Sequence, residues 1–152
     1  MSEFLKPIEA LAAQPNSLEP VLRETLKLFA SETGTIHRLD APTQLLQLVA
    51  QIGLPPPLLE VVKLIPVGKG IAGETVAKNR PVTICNLQTD TSGVAKPGAK
   101  QTGVGGAVCV PVRSGEKIVG TFGIGTRRER EYSAAEINAL QDIANLLAPQ
   151  LA

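Results

Sequence analysis

The sequence predicts an α+β domain built around an antiparallel sheet. Amphipathic helical stretches stand near both ends of the chain. Between them, two pairs of apolar runs are joined by turns short enough for hairpins. Strands in meanders with helices at the margins make this class of fold, not the alternation of a parallel α/β sheet.

With 152 residues the chain fits one domain. We divide it into N-terminal helices over 1–33, a sheet-bearing region over 34–126 and a C-terminal helix over 133–151. Charged residues make up 19%, with 15 basic against 14 acidic, a balance that suits neither a nucleic-acid footprint nor an anionic membrane surface. No apolar run approaches the ~20 residues of a membrane span. The first thirteen residues are broken by Glu3, Lys6 and Glu9 and do not read as a signal peptide. Two cysteines, Cys85 and Cys109, are too few for a disulfide scaffold, so a cytoplasmic address with reduced thiols is expected. Aromatic residues are only 3%, too few for a stacking platform.

Phe4, Ile8 and Leu11 share a helical face and predict a short lead helix. Ser17 is placed as the cap of a stronger helix carrying Leu18, Leu22, Leu26 and Phe29, with Gly34 as its stop. Thr35–Asp40 and Leu45–Ile52 read as a hairpin. Their poor alternation implies a sheet covered on both faces. Pro55–Lys63 follows as a proline-led helix with Leu58, Leu59 and Val62, then Leu64–Val67 as a short strand. Gly68–Asn79 reads as a glycine-rich turn into a short helix, and Pro81–Cys85 as another strand. Residues 86–104 are long and irregular, rich in Gly, Thr, Ser and Lys. Ala107–Arg113 and Lys117–Thr126 form the second hairpin around Ser114-Gly115. Ser133 and Glu136 make a capping box, with Tyr132 and Ile137 as its staple. Ile137, Leu140, Ala144, Leu147 and Leu151 then form a seam that Pro149 should fray at its end.

This order of segments resembles the GAF family along nearly the whole chain. The likeness is carried by Gly34–Asp40, by Leu48-Val49-Ala50 with Gly53-Leu54-Pro55, and by Ile65–Gly73. Asn79-Arg80-Pro81-Val82, Val110-Pro111-Val112 with Ile118-Val119-Gly120, and Tyr132-Ser133 with Glu136 complete it. The resemblance implies a roughly six-stranded antiparallel sheet, terminal helices on one face, and a ligand pocket with a lid on the other. It implies no particular ligand or cofactor, because the family hosts many.

Gly68-Lys69-Gly70-Ile71-Ala72-Gly73 matches a dinucleotide fingerprint literally, with Asp90 at the distance of a ribose-binding acid. The helix is too short and the flanking strands belong to hairpins, so the glycines are assigned to backbone conformation. Free N–H groups at that helix start would nevertheless favour an anion. Residues 86–104 have the length of a lid or binding loop, as the family resemblance also implies. Asp90, Lys96 and Lys100 are its candidate polar contacts, with Asn86 beside Cys85 at the strand end. Ile71 and Thr75 would close the far wall, and Cys109 completes the candidate set.

Some relatives in the resembled family reduce free methionine sulfoxide with a cysteine in the lid, but no position from 86 to 108 is cysteine. Cys109 lies among valines, where burial makes a thiol inert. His37 is the sole histidine and is assigned a structural place in its strand, which leaves no metal site. Neither cysteine is followed by the histidine of tetrapyrrole-binding relatives, and Asn79-Arg80 only partly echoes the cyclic-nucleotide pattern. Arg127–Glu131 reads as a solvated charge run. The chain is therefore expected to be a small-molecule-sensing or regulatory module without catalytic residues. Its signal would leave through a partner protein or through a homodimer formed by whichever terminal-helix seam the sheet leaves uncovered. A thiol-dependent reductase and a ligand-free dimer module are the alternatives.

Overall fold

The computed structural model describes residues 3–84 and 105–152. A single 3-10 turn (Glu3–Leu5) leads into α1 (Lys6–Ala12) and α2 (Leu18–Leu28). The strands β1 (Thr33–Asp40) and β2 (Leu45–Ile52) follow, then α3 (Pro56–Val62), β3 (Leu64–Pro66), α4 (Gly70–Lys78) and β4 (Val82–Ile84). The chain resumes with β5 (Ala107–Ser114) and β6 (Lys117–Gly125), and closes with α5 (Ala134–Leu146) and the short α6 (Ala148–Leu151). The six strands form one sheet in the order β3-β2-β1-β6-β5-β4, and each pairing is antiparallel. The predicted α+β class and six-stranded sheet are what the molecule has.

Strand periodicity sends alternate side chains to opposite faces. On one face Ile36, Val108, Val110, Val112, Phe122 and Ile124 pack beneath α1, α2, α5 and α6 in the main core. Both helical seams are spent there: Leu22, Leu26 and Phe29 of the first, and Leu140, Ala144, Leu147 and Leu151 of the second, are buried within this one chain. Leu18 and Ile137, the remaining seam positions, are partly buried against the same core, so among the described residues these seams pack chiefly within the chain.

Several local readings need correction. The lead helix turns Ile8 inward and packs Leu11 partly against the core as expected, but Leu5 of the initial 3-10 turn is buried in place of Phe4, which is 57% exposed. Ser17 occupies the N-cap position of α2, but its hydroxyl makes no capping bond. Instead it accepts from Gln150 Nε2 at 2.8 Å. The stop of α2 is Ala30, in a left-handed conformation (φ 48°). Gly34 lies inside β1, where a Cβ would come within 2.6 Å of Leu22 Cδ1. Chain reversal between β5 and β6 uses Gly115-Glu116, one residue later than expected. In β2, Val49 is a bulge: Ala50 pairs with Ile36 while Leu48 pairs with His37. The bulge swaps faces midway, so Leu46 packs under α4 while Ala50 and Ile52 join the main core.

The last helix begins with the predicted capping box: Glu136 N–H donates to Ser133 Oγ (3.1 Å) and Ser133 N–H to Glu136 Oε1 (2.9 Å). The charge run ahead of it is exposed except at Arg130. That guanidinium lies over the Tyr132 ring at 4.3 Å, pairs with Glu136 and donates to the Phe29 carbonyl. Gln150 ties the other end of the helical layer. Its Oε1 accepts from Ser17 N–H (3.0 Å), while its Nε2 also reaches the Ala12 carbonyl (3.1 Å). Replacing Gln150 with Ala strands these partly buried groups, and urea unfolding should show a loss of about 2 kcal/mol.

Candidate functional site

The opposite face of the sheet carries small or polar side chains: Thr33, Thr35 and His37 from β1, Ala107 and Cys109 from β5, and Thr121, Gly123 and Gly125 from β6. Only part of it is covered. Leu46, Ala72 and Cys109 form a small second core with Leu39, Ile65, Ile71 and Val76 under α4. Beside this core lies a cleft of about 210 Å³. Its floor is Thr33, Thr35, His37, Ala107, Cys109 and Gly123. Leu54 and the end of α3 (Val61, Val62) make one wall with β3, and Lys69 to Ala72 at the start of α4 make the other.

The glycine-rich segment builds that second wall by backbone geometry. Gly68 and Gly70 take positive φ (89° and 64°) to reverse the chain between β3 and α4. Among the described residues every strand pairing is antiparallel and no parallel crossover follows the glycines, so the literal G-x-G-x-x-G serves the turn. Asn79, in the partial cyclic-nucleotide echo, is the left-handed C-cap of α4 and holds the Arg113 guanidinium. It faces the edge of the sheet and takes no part in the cleft lining.

His37 is 1% exposed and bridges floor to wall. Its Nε2 lies 2.9 Å from the Val62 carbonyl. A carbonyl only accepts, so Nε2 carries the proton and Nδ1 presents a lone pair. Among the described residues that buried Nδ1 has no hydrogen-bond partner, and neither has the buried Oγ1 of Thr121, its pair across β1 and β6. Burial pushes the His37 pKa down, against the opposing pull of the Val62 carbonyl.

Cys109 is buried and free. Burial pushes its thiol up to about 11; the hydroxyls of Thr75 and Thr121 and the Phe122 backbone oppose the rise. Thr121 lies near the sulfur without meeting hydrogen-bond geometry, so its damping is weak.

Of the candidates chosen from sequence, Ile71 and Cys109 border the cleft. Thr75 does not: it is fully buried below α4, and its hydroxyl donates to the Ile71 carbonyl at 2.8 Å. Cys85, Asn86, Asp90, Lys96 and Lys100, with the expected lid over 86–104, lie outside the described residues. Sequence reasoning missed His37 and Lys69 as cleft residues and the apolar wall of Val61, Val62 and Leu64. The available signal was the run of polar or small residues at alternate positions 33, 35 and 37, which marks one face of a strand as unfilled. Among the described residues no cluster of metal-ligating side chains occurs, and no helix is long and apolar enough to cross a membrane.

Because His37 is the sole histidine, its titration is separable from every other group. Its folded pKa lies below the 6.5 of the free side chain. Between the two values the unfolded state binds the extra proton, so stability is full above 6.5 and falls as pH drops toward the folded value. The slope should approach ~1.4 kcal/mol per pH unit at most. Urea midpoints from pH 7.5 to 5 should show this decline, and His37→Gln should flatten it whatever that substitution does to stability at pH 7.5.

The sequence matches the GAF domain family over residues 17–151. A comparison with curated protein sequences yields no match. Among solved structures, the fold resembles the GAF domain of an Acinetobacter phosphoenolpyruvate-protein phosphotransferase (20% identity, TM-score 0.82, covering 99% of this chain and 94% of that one). It also resembles the corresponding GAF domain from Coxiella burnetii (17%, 0.81, 97% and 89%). A third similar structure is the free methionine-R-sulfoxide reductase of Neisseria meningitidis in complex with its substrate (17%, 0.80, 98% and 86%). Identities this low speak for the fold alone, while the family match spans most of the chain: it belongs to the GAF domain family.

Proposed function

We propose that this GAF domain is a regulatory module that binds a small molecule in the cleft between the sheet and the α3–α4 walls. The observation that carries the reading is the open floor. Strand positions that elsewhere in the sheet hold Val, Ile or Phe here hold Thr, Ala and Gly, leaving a recess with apolar walls and few polar groups. Such a recess suits orientation of one compact ligand. Occupancy would bear on α3, which is linked to the floor through His37, and would reach a partner protein through the outer surface. Asn86, Asp90, Lys96 and Lys100 remain part of this proposal as contacts from the loop over 86–104.

A thiol-dependent reductase is the second reading, favoured by the similarity to the Neisseria enzyme. Cys109 argues against it. At a pKa of about 11, two units above its ordinary 9.0, its thiolate is about a hundredfold scarcer near neutral pH. Native mass spectrometry of freshly purified protein should show a bound small molecule or one captured from a metabolite extract. Assays with free methionine-R-sulfoxide and dithiothreitol should show no turnover. Turnover that disappears in Cys85→Ser or Cys109→Ser would replace the regulatory reading with the enzymatic one.

A further inference from the structure

We propose that Arg113 is a relay: through it, a displacement of α4 at the cleft is passed around the edge of the sheet to α5. The inference deepens the regulatory reading and rests on it for its purpose, since it names a path by which a binding event would leave the cleft. β4 pairs with β5 only from Ala107 to Cys109. Beyond that pairing, side-chain amides of α5 hold the backbone of β5. Gln141 Nε2 donates to the Pro111 carbonyl at 2.6 Å, and Asn145 Oδ1 accepts from Arg113 N–H at 3.2 Å. Gln141 and Asn145 stand one helical turn apart and are themselves joined, Nε2 to Oδ1, at 3.0 Å.

The same residue holds α4 with its side chain. Arg113 Nε donates to Asn79 Oδ1 at 3.0 Å, and its Nη2 donates to the Asn79 carbonyl at 2.8 Å. Asn79 is the left-handed C-cap of α4 (φ 51°, ψ 44°), and Arg80 N–H closes the last turn on the Thr75 carbonyl. A guanidinium bonded twice to a helix C-cap, at the negative end of the helix dipole, is a charge-assisted and directional attachment.

Position makes the attachment a relay. The first turn of α4 borders the cleft, and the helix carries a displacement over about 13 Å to its cap. α4 packs on the cleft face of the sheet and α5 on the other, and among the described residues Arg113 alone hydrogen-bonds to both. The β6 bulge at Val119 lies beside Arg113, so the ladder is interrupted where the relay crosses it and can shift there. The link to α4 uses the Arg113 side chain and the link to α5 uses its backbone. Each can therefore be cut without the other.

Amide hydrogen exchange of the whole 15N-labelled chain, with no ligand added, tests the relay apart from the occupancy of the cleft. Arg113→Met removes the guanidinium and keeps the N–H that Asn145 accepts. Asn145→Val removes that acceptor at similar helix propensity and leaves the guanidinium in place. Each should lower protection about tenfold at both helix ends, residues 75–78 of α4 and 143–146 of α5, while Ile36 and Phe122 in the central strands change less than about twofold. The double variant should exceed either single one by less than about threefold, because both cut one path. Should Arg113→Met fail to fold, Asn79→Gly takes its place: glycine keeps the left-handed cap and drops the Oδ1 acceptor. Effects confined to the helix whose bond was cut, or effects that multiply in the double variant, overturn the relay. So does a uniform loss of protection that includes Ile36 and Phe122, which would make Arg113 a general contributor to stability. None of these outcomes bears on ligand binding, which the native mass spectrum decides.

Discussion

Side chains in β1, β5 and β6 alternate between two unlike environments, and the rest of the molecule is arranged around that inequality. Toward the helices point Ile36, Val108, Val110, Val112, Phe122 and Ile124, all nearly or fully buried. Toward the cleft point Thr35, Ala107, Cys109 and Gly123. Because the period of a strand is two, a slip of one residue would exchange the two sets. Register is therefore strongly specified, and bulges at Val49 and Val119 adjust it where the pattern of the chain changes phase. Burial of the large set is the dominant favourable contribution to folding.

The lightly filled face is then available for something other than stability. The α4 helix covers one end of it with a small cluster, and α3 with β3 leans over the other. Between them stays a recess whose polar groups are few and fixed. His37 joins floor and wall through its hydrogen bond to Val62, which ties the end of α3 to β1. The buried Cys109 thiol, held protonated beside Thr75 and Thr121, contributes packing to this floor.

Much of the fold was legible because its signals are local and periodic. The β2 boundaries, the capping box at Ser133 and the seam through Leu140, Ala144 and Leu147 follow from spacing alone. The poor alternation of Leu45–Ile52 was legible as a fact but not in its cause, since a bulge at Val49 depends on pairing with β1. The same holds for Ser17, whose partner Gln150 is 133 residues away. Arg130 in its charge run looked like its solvated neighbours, and only the fold brings Tyr132 and Phe29 to it. For the site, Ile71 and Cys109 were legible from the glycine turn and the strand. Thr75 was not, because a helical Thr can return its hydroxyl to the preceding turn, as it does here to Ile71. The cleft role of His37 depends on a wall, α3, that lies 25 residues further along the chain.

The central claim is that the sheet is closed by contact on one face and left open on the other, and two glycines of β6 test it directly. A Cβ at Gly120 would collide with the His37 carbonyl oxygen and come within 2.9 Å of Leu151 Cδ1. A Cβ at Gly123 would meet Thr35 Oγ1 at 3.4 Å and Cys109 at 3.7 Å, ordinary contacts at the edge of the cleft. The measurement is the unfolding free energy of Gly120→Ala and Gly123→Ala against the unmodified chain. An open cleft predicts that Gly123→Ala is neutral or stabilising by about 0.5 kcal/mol, since alanine is favoured over glycine in a strand, while Gly120→Ala loses more than ~2 kcal/mol. Comparable losses at both positions would mean that the space over β1, β5 and β6 is already filled, and the binding cleft would go with it.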